Sequence, residues 1–182
     1  MEQFTRTFKF KDLLPDFDSF IYNYKKYAPE SIDFTSDDID IKTAYNLLFA
    51  KYCQSSIAFD MKSDFFRKFY LIFWDEFDFF QNKLKMIKYL RSLPVSDLLT
   101  EYETITNVAN NNNEVVNSPL NELIPYISTQ SSSTSKINKV NAIVRAIQSY
   151  RTNEAKYFVD KFKELFLSYF PDFRIYYNNR ED

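Results

Sequence analysis

Apolar residues recur at spacings of three and four along most of the chain, which is the period of an amphipathic helix. Between Pro15 and Pro29 this spacing predicts a helix over 17–27, and the second proline ends it. Ser36 is a good N-cap for the next predicted helix, which runs over 36–55. A mainly helical fold follows from this period.

Two long helices are predicted in the second half of the chain, over about 64–92 and 139–169. A shorter helix is predicted after Ser96. The first half of helix 64–92 is apolar at so many positions that we expect it to be covered on several sides, by its own domain or by another subunit. Together these elements predict an elongated helical bundle, in which the two long helices form a hairpin.

Both ends of the chain carry short alternating patterns that predict β-strands. Phe4, Phe8 and Phe10 alternate with polar residues, and a second alternating stretch covers Phe173 to Tyr177. A two-stranded sheet is marginal by itself, so it must lie on helices or borrow strands from elsewhere. The sequence leaves two partners open for the first strand: the second strand of the same chain, or the sheet edge of a neighbouring subunit.

The segment from about 106 to 135 is rich in asparagine, serine and threonine, and it includes four consecutive asparagines at 110–113. Such a composition favours a loop over a packed element. Because this segment lies between two predicted helices, it is interpreted as an excursion within one domain that covers 1–182.

The composition of the 182 residues excludes most familiar enzyme sites, because the chain contains neither glycine nor histidine. Phosphate-binding loops, dinucleotide fingerprints and nucleophile elbows require glycine, and Ser-His or Cys-His pairs require histidine. We therefore expect no cofactor, no metal and no enzymatic activity. A carboxylate-dependent enzyme that uses Asp75 and Asp78 is a minor alternative to a solvated acidic stripe.

The single cysteine, Cys53, is expected to be a buried apolar residue on a helix. The N-terminus does not read as a signal peptide, and no uncharged run approaches the length of a membrane span. These features predict a protein of a reducing, soluble compartment, with no membrane span.

A net charge of −2 makes the whole chain a poor polyanion binder, so any DNA contact has to be local. The closing helix is locally basic, and Tyr150 and Tyr157 on it are candidate stacking groups. The candidate contacts for DNA or an acidic partner are Lys139, Arg145, Arg151 and Lys156. The alternative is an ordinary solvated basic helix face.

The order of elements resembles a family of phage proteins. The aromatic helix FRKFYLIFWDEFDFFQNKLKMIKYL is followed by the Asn-rich stretch TNVANNNNEVVNSP, a Ser/Thr run and the closing helix KYFVDKFKELFLSYF. This order looks like the lower collar proteins of short-tailed bacteriophages. It is also similar to the baseplate-wedge and neck adaptor proteins of larger phages. The likeness covers about 64–170. The chain departs from the family in lacking a glycine step and in leaving the aromatic helix as Ser92-Leu93-Pro94-Val95.

The resemblance implies a non-enzymatic virion protein of the tail or neck, assembled in the host cytoplasm. It would be one subunit of a homo-oligomeric ring that links the portal to the tail proteins and surrounds the viral DNA. A baseplate or tail-assembly role and a small DNA-binding protein are the alternatives. The aromatic residues expected at the subunit interface are Phe4, Phe8, Phe10, Phe69, Phe73, Trp74, Phe77 and Phe80.

Overall fold

The structure is a computed structural model that describes residues 8–29, 39–111, 119–123, 127 and 136–167. The chain divides into two compact units. Unit 1 comprises Met1–Phe79 and Lys156–Asp182, and unit 2 comprises Phe80–Ala155. The single domain over 1–182 stays a prediction, and each unit is described separately below.

The described residues are mainly helical, as the sequence predicted. The α-helices are α1 (Phe10–Leu13), α2 (Phe17–Tyr27), α3 (Ile39–Tyr52), α4 (Lys62–Ser92), α5 (Val95–Asn111) and α6 (Lys136–Asp160). Two 3-10 helices cover Pro119–Leu123 and Lys163–Leu165. The predicted helices over 17–27 and 64–92 correspond closely to α2 and α4, while Ser36, the predicted N-cap of α3, lies outside the described residues.

Local sequence accounts for the start and end of α2. The Asp16 side chain accepts a hydrogen bond from the Ser19 backbone N–H at 2.7 Å, as an N-cap residue does. Hydrogen bonding to Ser19 holds the pKa of the Asp16 carboxyl below its usual value. At the other end, the Ala28 N–H donates to the Tyr24 carbonyl before the chain reaches Pro29. The helix is therefore fixed at both ends by short-range contacts.

One stripe of α4 is buried by the described part of the chain itself. The buried positions follow spacings of mostly three and four: Phe65, Phe66, Phe69, Tyr70, Phe73, Phe77, Phe80, Leu84, Ile87 and Leu90. Leu71, Phe79 and Tyr89 of the same helix are about half-exposed, while Ile72, Trp74 and Met86 are partly buried. Cover of the exposed positions by another subunit stays a prediction, because a single chain shows only which positions it covers itself.

Aromatic rings form the core of unit 1. Phe20 of α2 lies 5.0 Å from Phe73 and 5.4 Å from Tyr70, measured between ring centroids. Phe10 of α1 contacts Phe69 at 5.6 Å and Phe166 at 5.6 Å. These separations fall in the range in which aromatic pairs attract each other beyond their simple burial. The rings therefore join α1, α2, α4 and the segment after α6.

The helices α4 and α6 run antiparallel within unit 1. Phe73 contacts Phe158 at 6.0 Å, and Phe69, one turn earlier, contacts Phe162, which follows α6 in the chain. This reversed order is the pairing expected of a helical hairpin. It places the last part of the closing helix beside the aromatic half of α4.

Unit 2 has an aliphatic core to which α4, α5, the first 3-10 helix and α6 all contribute. Its buried members are Ile87, Leu90, Leu98, Leu120, Leu123, Ile127, Ala142, Ile143, Ala146, Ile147 and Tyr150. Part of the predicted excursion is thus ordered in this core, since Leu120 and Leu123 are fully buried. Residues 106–111, which were predicted as loop, continue α5.

The predicted N-terminal strand is not seen in the part of it that the structure describes. Phe10 begins α1 instead, and only Lys9 forms an isolated antiparallel bridge, with Ser56. The Ile57 N–H donates to the Phe8 carbonyl at 2.9 Å. Phe4 and the second predicted strand, 173–177, lie outside the described residues. The backbone of residues 8–10 therefore forms hydrogen bonds with 55–57 of the same chain, and no sheet occurs among the described residues.

The closing helix ends earlier than the predicted residue 169. After Asp160 the chain turns into the second 3-10 helix, and Ile57 forms an antiparallel bridge with Phe166. The Ala58 N–H donates to the Leu165 carbonyl at 2.8 Å, and the Leu167 N–H donates to the Ser56 carbonyl at 3.0 Å. These tertiary hydrogen bonds replace the helical ones, and they allow both Leu165 and Phe166 to be fully buried.

Candidate functional site

The aromatic residues predicted for a subunit interface mostly lie in the interior. Five of them are no more than 2% exposed: Phe10, Phe69, Phe73, Phe77 and Phe80. Phe8 and Trp74 are half-buried, and Phe4 lies outside the described residues. The apolar surface of those five is already covered by the same chain, so it needs no neighbouring subunit to cover it.

A different set of apolar side chains faces solvent on unit 1. We use the name outer stripe for Leu71 and Phe79 of α4 together with Tyr157 of α6, each of which is about half-exposed. Leu71 and Phe79 are separated by two steps of four residues, so they lie on one side of the helix. The rings of Phe79 and Tyr157 are 6.5 Å apart at an interplanar angle of 61°. The outer stripe thus joins α4 to α6 at the surface.

An ion pair is packed beside the outer stripe. Lys161 donates a hydrogen bond to Glu76 at 2.7 Å, and its Nζ lies 4.5 Å from the centroid of the Tyr157 ring. The hydrogen bonds to Glu76 and Tyr157 raise the pKa of Lys161 above its usual value. A charged ammonium over an aromatic face is favourable, so this contact holds the Tyr157 ring in place.

Sequence reasoning missed the outer stripe, although the signal was present. Leu71 and Phe79 lie outside the stripe that α4 buries, as a helical projection of 65–80 would show. Tyr157 was identified only as a candidate stacking group for nucleic acid. The contact between Phe79 and Tyr157 depends on the pairing of two helices that are distant in the sequence.

The four candidate DNA contacts differ in whether their side chains are paired or exposed. Lys139 forms an ion pair with Glu103 at 3.2 Å. Arg145, Arg151 and Lys156 are exposed, and the first two belong to unit 2 while Lys156 belongs to unit 1. Tyr150, a predicted stacking group, is only 3% exposed and therefore does not present its ring to a base. Of these candidates, Arg145, Arg151 and Lys156 are exposed, while Lys139 forms an ion pair and Tyr150 is buried.

A polar network lies at the edge of the core of unit 2. Glu122, on the first 3-10 helix, accepts hydrogen bonds from Lys83 of α4 and from Tyr150 of α6. Burial by itself would raise the pKa of Glu122, but these two hydrogen bonds and the Lys83 charge outweigh it and lower the pKa. Partial burial raises the pKa of Glu154, and the Glu122 charge adds to that effect. The network ties the 3-10 helix to both long helices.

The residues considered for enzyme chemistry are not brought together into a site. Asp75 and Asp78 are exposed on α4, and no group of His, Cys, Asp or Glu suited to a metal ion occurs among the described residues. Cys53 is half-buried in the turn after α3, rather than buried on a helix as predicted. Within the same described part of the chain, no helix combines the length and the apolar character needed to cross a membrane.

Comparisons with protein-family models, with curated proteins and with solved structures found no match to this chain. The resemblance to lower collar proteins therefore remains a prediction from the order of its elements.

Proposed function

We propose that this protein is a structural subunit of a bacteriophage head-to-tail connector, and that it assembles into a homo-oligomeric ring of the lower collar type. The observation that supports this proposal most strongly is the outer stripe of unit 1. Aromatic residues are enriched in the centres of protein interfaces, and Phe79 and Tyr157 are presented as a preformed pair on the surface. In the ring, this pair packs against the neighbouring subunit.

The arrangement around the outer stripe suits a surface that binds without rearranging. Lys161 fixes Tyr157 through its ring contact, and the α4 helix fixes Phe79 and Leu71. Rigid aromatic groups lose little conformational freedom on binding, which leaves more of the contact energy for association. The buried aromatic stripe of α4 supports the same surface from within, because it holds the helix against the core of unit 1.

The proposed ring connects the portal to the other tail proteins, and the viral DNA passes through it. This placement rests on the resemblance in element order, and the outer stripe supports the assembly step itself. A baseplate or tail-assembly position is compatible with the same subunit contact. Electron microscopy of virions that carry a labelled subunit distinguishes a ring below the portal from a baseplate position.

Assembly is tested by measuring the mass of the purified full-length chain in solution by multi-angle light scattering. We expect the wild-type chain to form oligomers whose mass rises with concentration, and the double variant L71S/F79S to shift to monomer. Replacing Tyr89 by serine is the matched control, because Tyr89 lies on the same helix and is 50% exposed, as Phe79 is. A wild-type chain that stays monomeric at every concentration would contradict the proposal, as would an equal shift in Y89S.

A further inference from the structure

A cavity of about 270 Å³ opens on the surface of unit 2, between the end of α4, the start of α5 and the middle of α6. Buried apolar side chains of Leu90, Leu98 and Ile147 line its interior. Val95 and Val144 also line it and are 52% and 43% exposed, so they lie towards its opening. The inner surface of this cavity is therefore aliphatic.

Two arginines, Arg91 of α4 and Arg151 of α6, line the same cavity. Both are exposed, and neither forms an ion pair with any residue that the structure describes. None of the described residues that line the cavity is acidic. Because guanidinium groups stay charged at any ordinary pH, the cavity combines an aliphatic interior with a positive charge on two of its walls.

The size of the cavity restricts the ligand. Ligand sites usually measure about 300–1,000 Å³, so this cavity, at about 270 Å³, is slightly smaller than that range and fits one short apolar group rather than a cofactor. No aromatic side chain is found among its described lining residues, so it offers no platform on which a nucleic-acid base could stack. A small inorganic anion would leave the aliphatic interior unfilled.

We infer that this cavity binds a carboxylate that is attached to a short aliphatic group, with the hydrocarbon inside and the carboxylate paired with Arg91 and Arg151. Arginine is the side chain best suited to a carboxylate, because its planar fork can donate two parallel hydrogen bonds. Gln148, which also lines the cavity, supplies a further donor. The site is independent of the proposed ring contact, which lies in unit 1.

Two sources can supply this chemistry: a free medium-chain carboxylate, or the C-terminal residue of a peptide that ends in leucine. Isothermal titration calorimetry of the full-length chain with octanoate tests the first source. The second is tested with acetyl-Ala-Ala-Leu, compared as the free acid and as the C-terminal amide. We expect at least one of the two acids to bind, while octanol and the peptide amide bind at least tenfold more weakly.

Two arginine variants and one matched control test the assignment of residues. R91Q and R151Q should each weaken binding of the acid by roughly tenfold, since a charge-assisted hydrogen bond is lost. R145Q is the control, because Arg145 is an exposed arginine of α6 that does not line this cavity. Circular dichroism confirms that each variant is folded.

Three results would overturn the assignment. The first is that neither acid binds. The second is that octanoate binds with the same affinity as octanol and the peptide acid binds with the same affinity as its amide. The third is that R145Q loses as much affinity as R91Q and R151Q. Binding of octanoate alone identifies a free carboxylate as the ligand. Binding of the peptide acid alone identifies a protein C-terminus.

Discussion

Replacing Phe20 by alanine should strongly destabilise unit 1, because this ring is the centre of its aromatic core. Phe20 is fully buried. Among the described residues, its ring contacts six others, at centroid distances from 5.0 to 6.4 Å: Phe17, Tyr24, Tyr45, Phe69, Tyr70 and Phe73. These neighbours come from α2, α3 and α4, so the substitution loosens the contacts among three helices at once.

The expected loss follows from the burial and from the surroundings of the ring. Truncating a buried phenylalanine to alanine costs about 3–5 kcal/mol, and the cost rises with the cavity that remains. The upper part of this range applies here, because rigid rings on several sides cannot all move inward to fill the space. The lost aromatic pairs, worth about 0.5–1.5 kcal/mol each beyond simple burial in isolation, are part of this cost and not an addition to it. A loss of about 4–5 kcal/mol is a large share of the roughly 5–15 kcal/mol that stabilises a typical domain.

Urea unfolding followed by tryptophan fluorescence measures this loss. The single tryptophan of the chain, Trp74, belongs to unit 1 and is half-buried there, so its emission reports on the unit that is perturbed. Tyr22→Ala is the matched control, since Tyr22 lies on the same helix and is 70% exposed. Its effect should stay within about 0.5 kcal/mol. A loss below about 1.5 kcal/mol for Phe20→Ala, or equal losses in the two variants, would refute the assignment of Phe20 to the centre of the core.

Two further predictions concern buried and partly buried polar groups. Tyr52→Phe should lower the free energy of unfolding by about 1 kcal/mol, because the Tyr52 hydroxyl donates to the Val159 carbonyl at 2.9 Å inside unit 1. The same unfolding assay checks it, and a change close to zero would contradict it. Glu122→Gln should cost about 0.5–1 kcal/mol at pH 7, a value kept small because the carboxylate is partly exposed to solvent. Since the pKa of Glu122 is lowered in the folded state, this stabilisation is present above the usual carboxyl pKa and is lost as the pH falls through the lowered value. The difference between wild type and variant should therefore disappear in acid, and an undiminished difference near pH 2 would show that it does not arise from the Glu122 charge.

The helices of this protein were predictable where short-range signals agree with one another. In α2 the apolar spacing, Pro15 and Pro29 all indicate the same element, and the structure contains it over Phe17–Tyr27. The end of α6 was not predictable in this way, because the helical spacing continues past Asp160. There the backbone hydrogen bonds to Ser56 and Ala58 decide the outcome, and no local pattern records them.

The candidate site was predictable in kind but not in position. An excess of aromatic residues on α4 indicated both a core and an interface, yet the residues named for the interface are largely the ones that form the core. The distinction depends on which side of the helix meets α2 and α6. That choice is made by packing, so Phe77 is buried while Phe79, two residues later, is half-exposed.

The sequence by itself determined the helical class, the place of α4 and the approximate start of α6, and it contains no glycine or histidine for the chemistry that depends on them. These properties depend on residue type and on spacing within one or two helical turns, which act before any distant contact forms. Three features were decided only by the tertiary structure. Phe8 and Lys9 pair with Ile57 and Ser56, and Arg91 and Arg151 line one cavity. The side chains of the outer stripe face solvent. Each of these depends on contacts between residues far apart in the chain, whose geometry is set by how the side chains pack rather than by any pattern along the sequence.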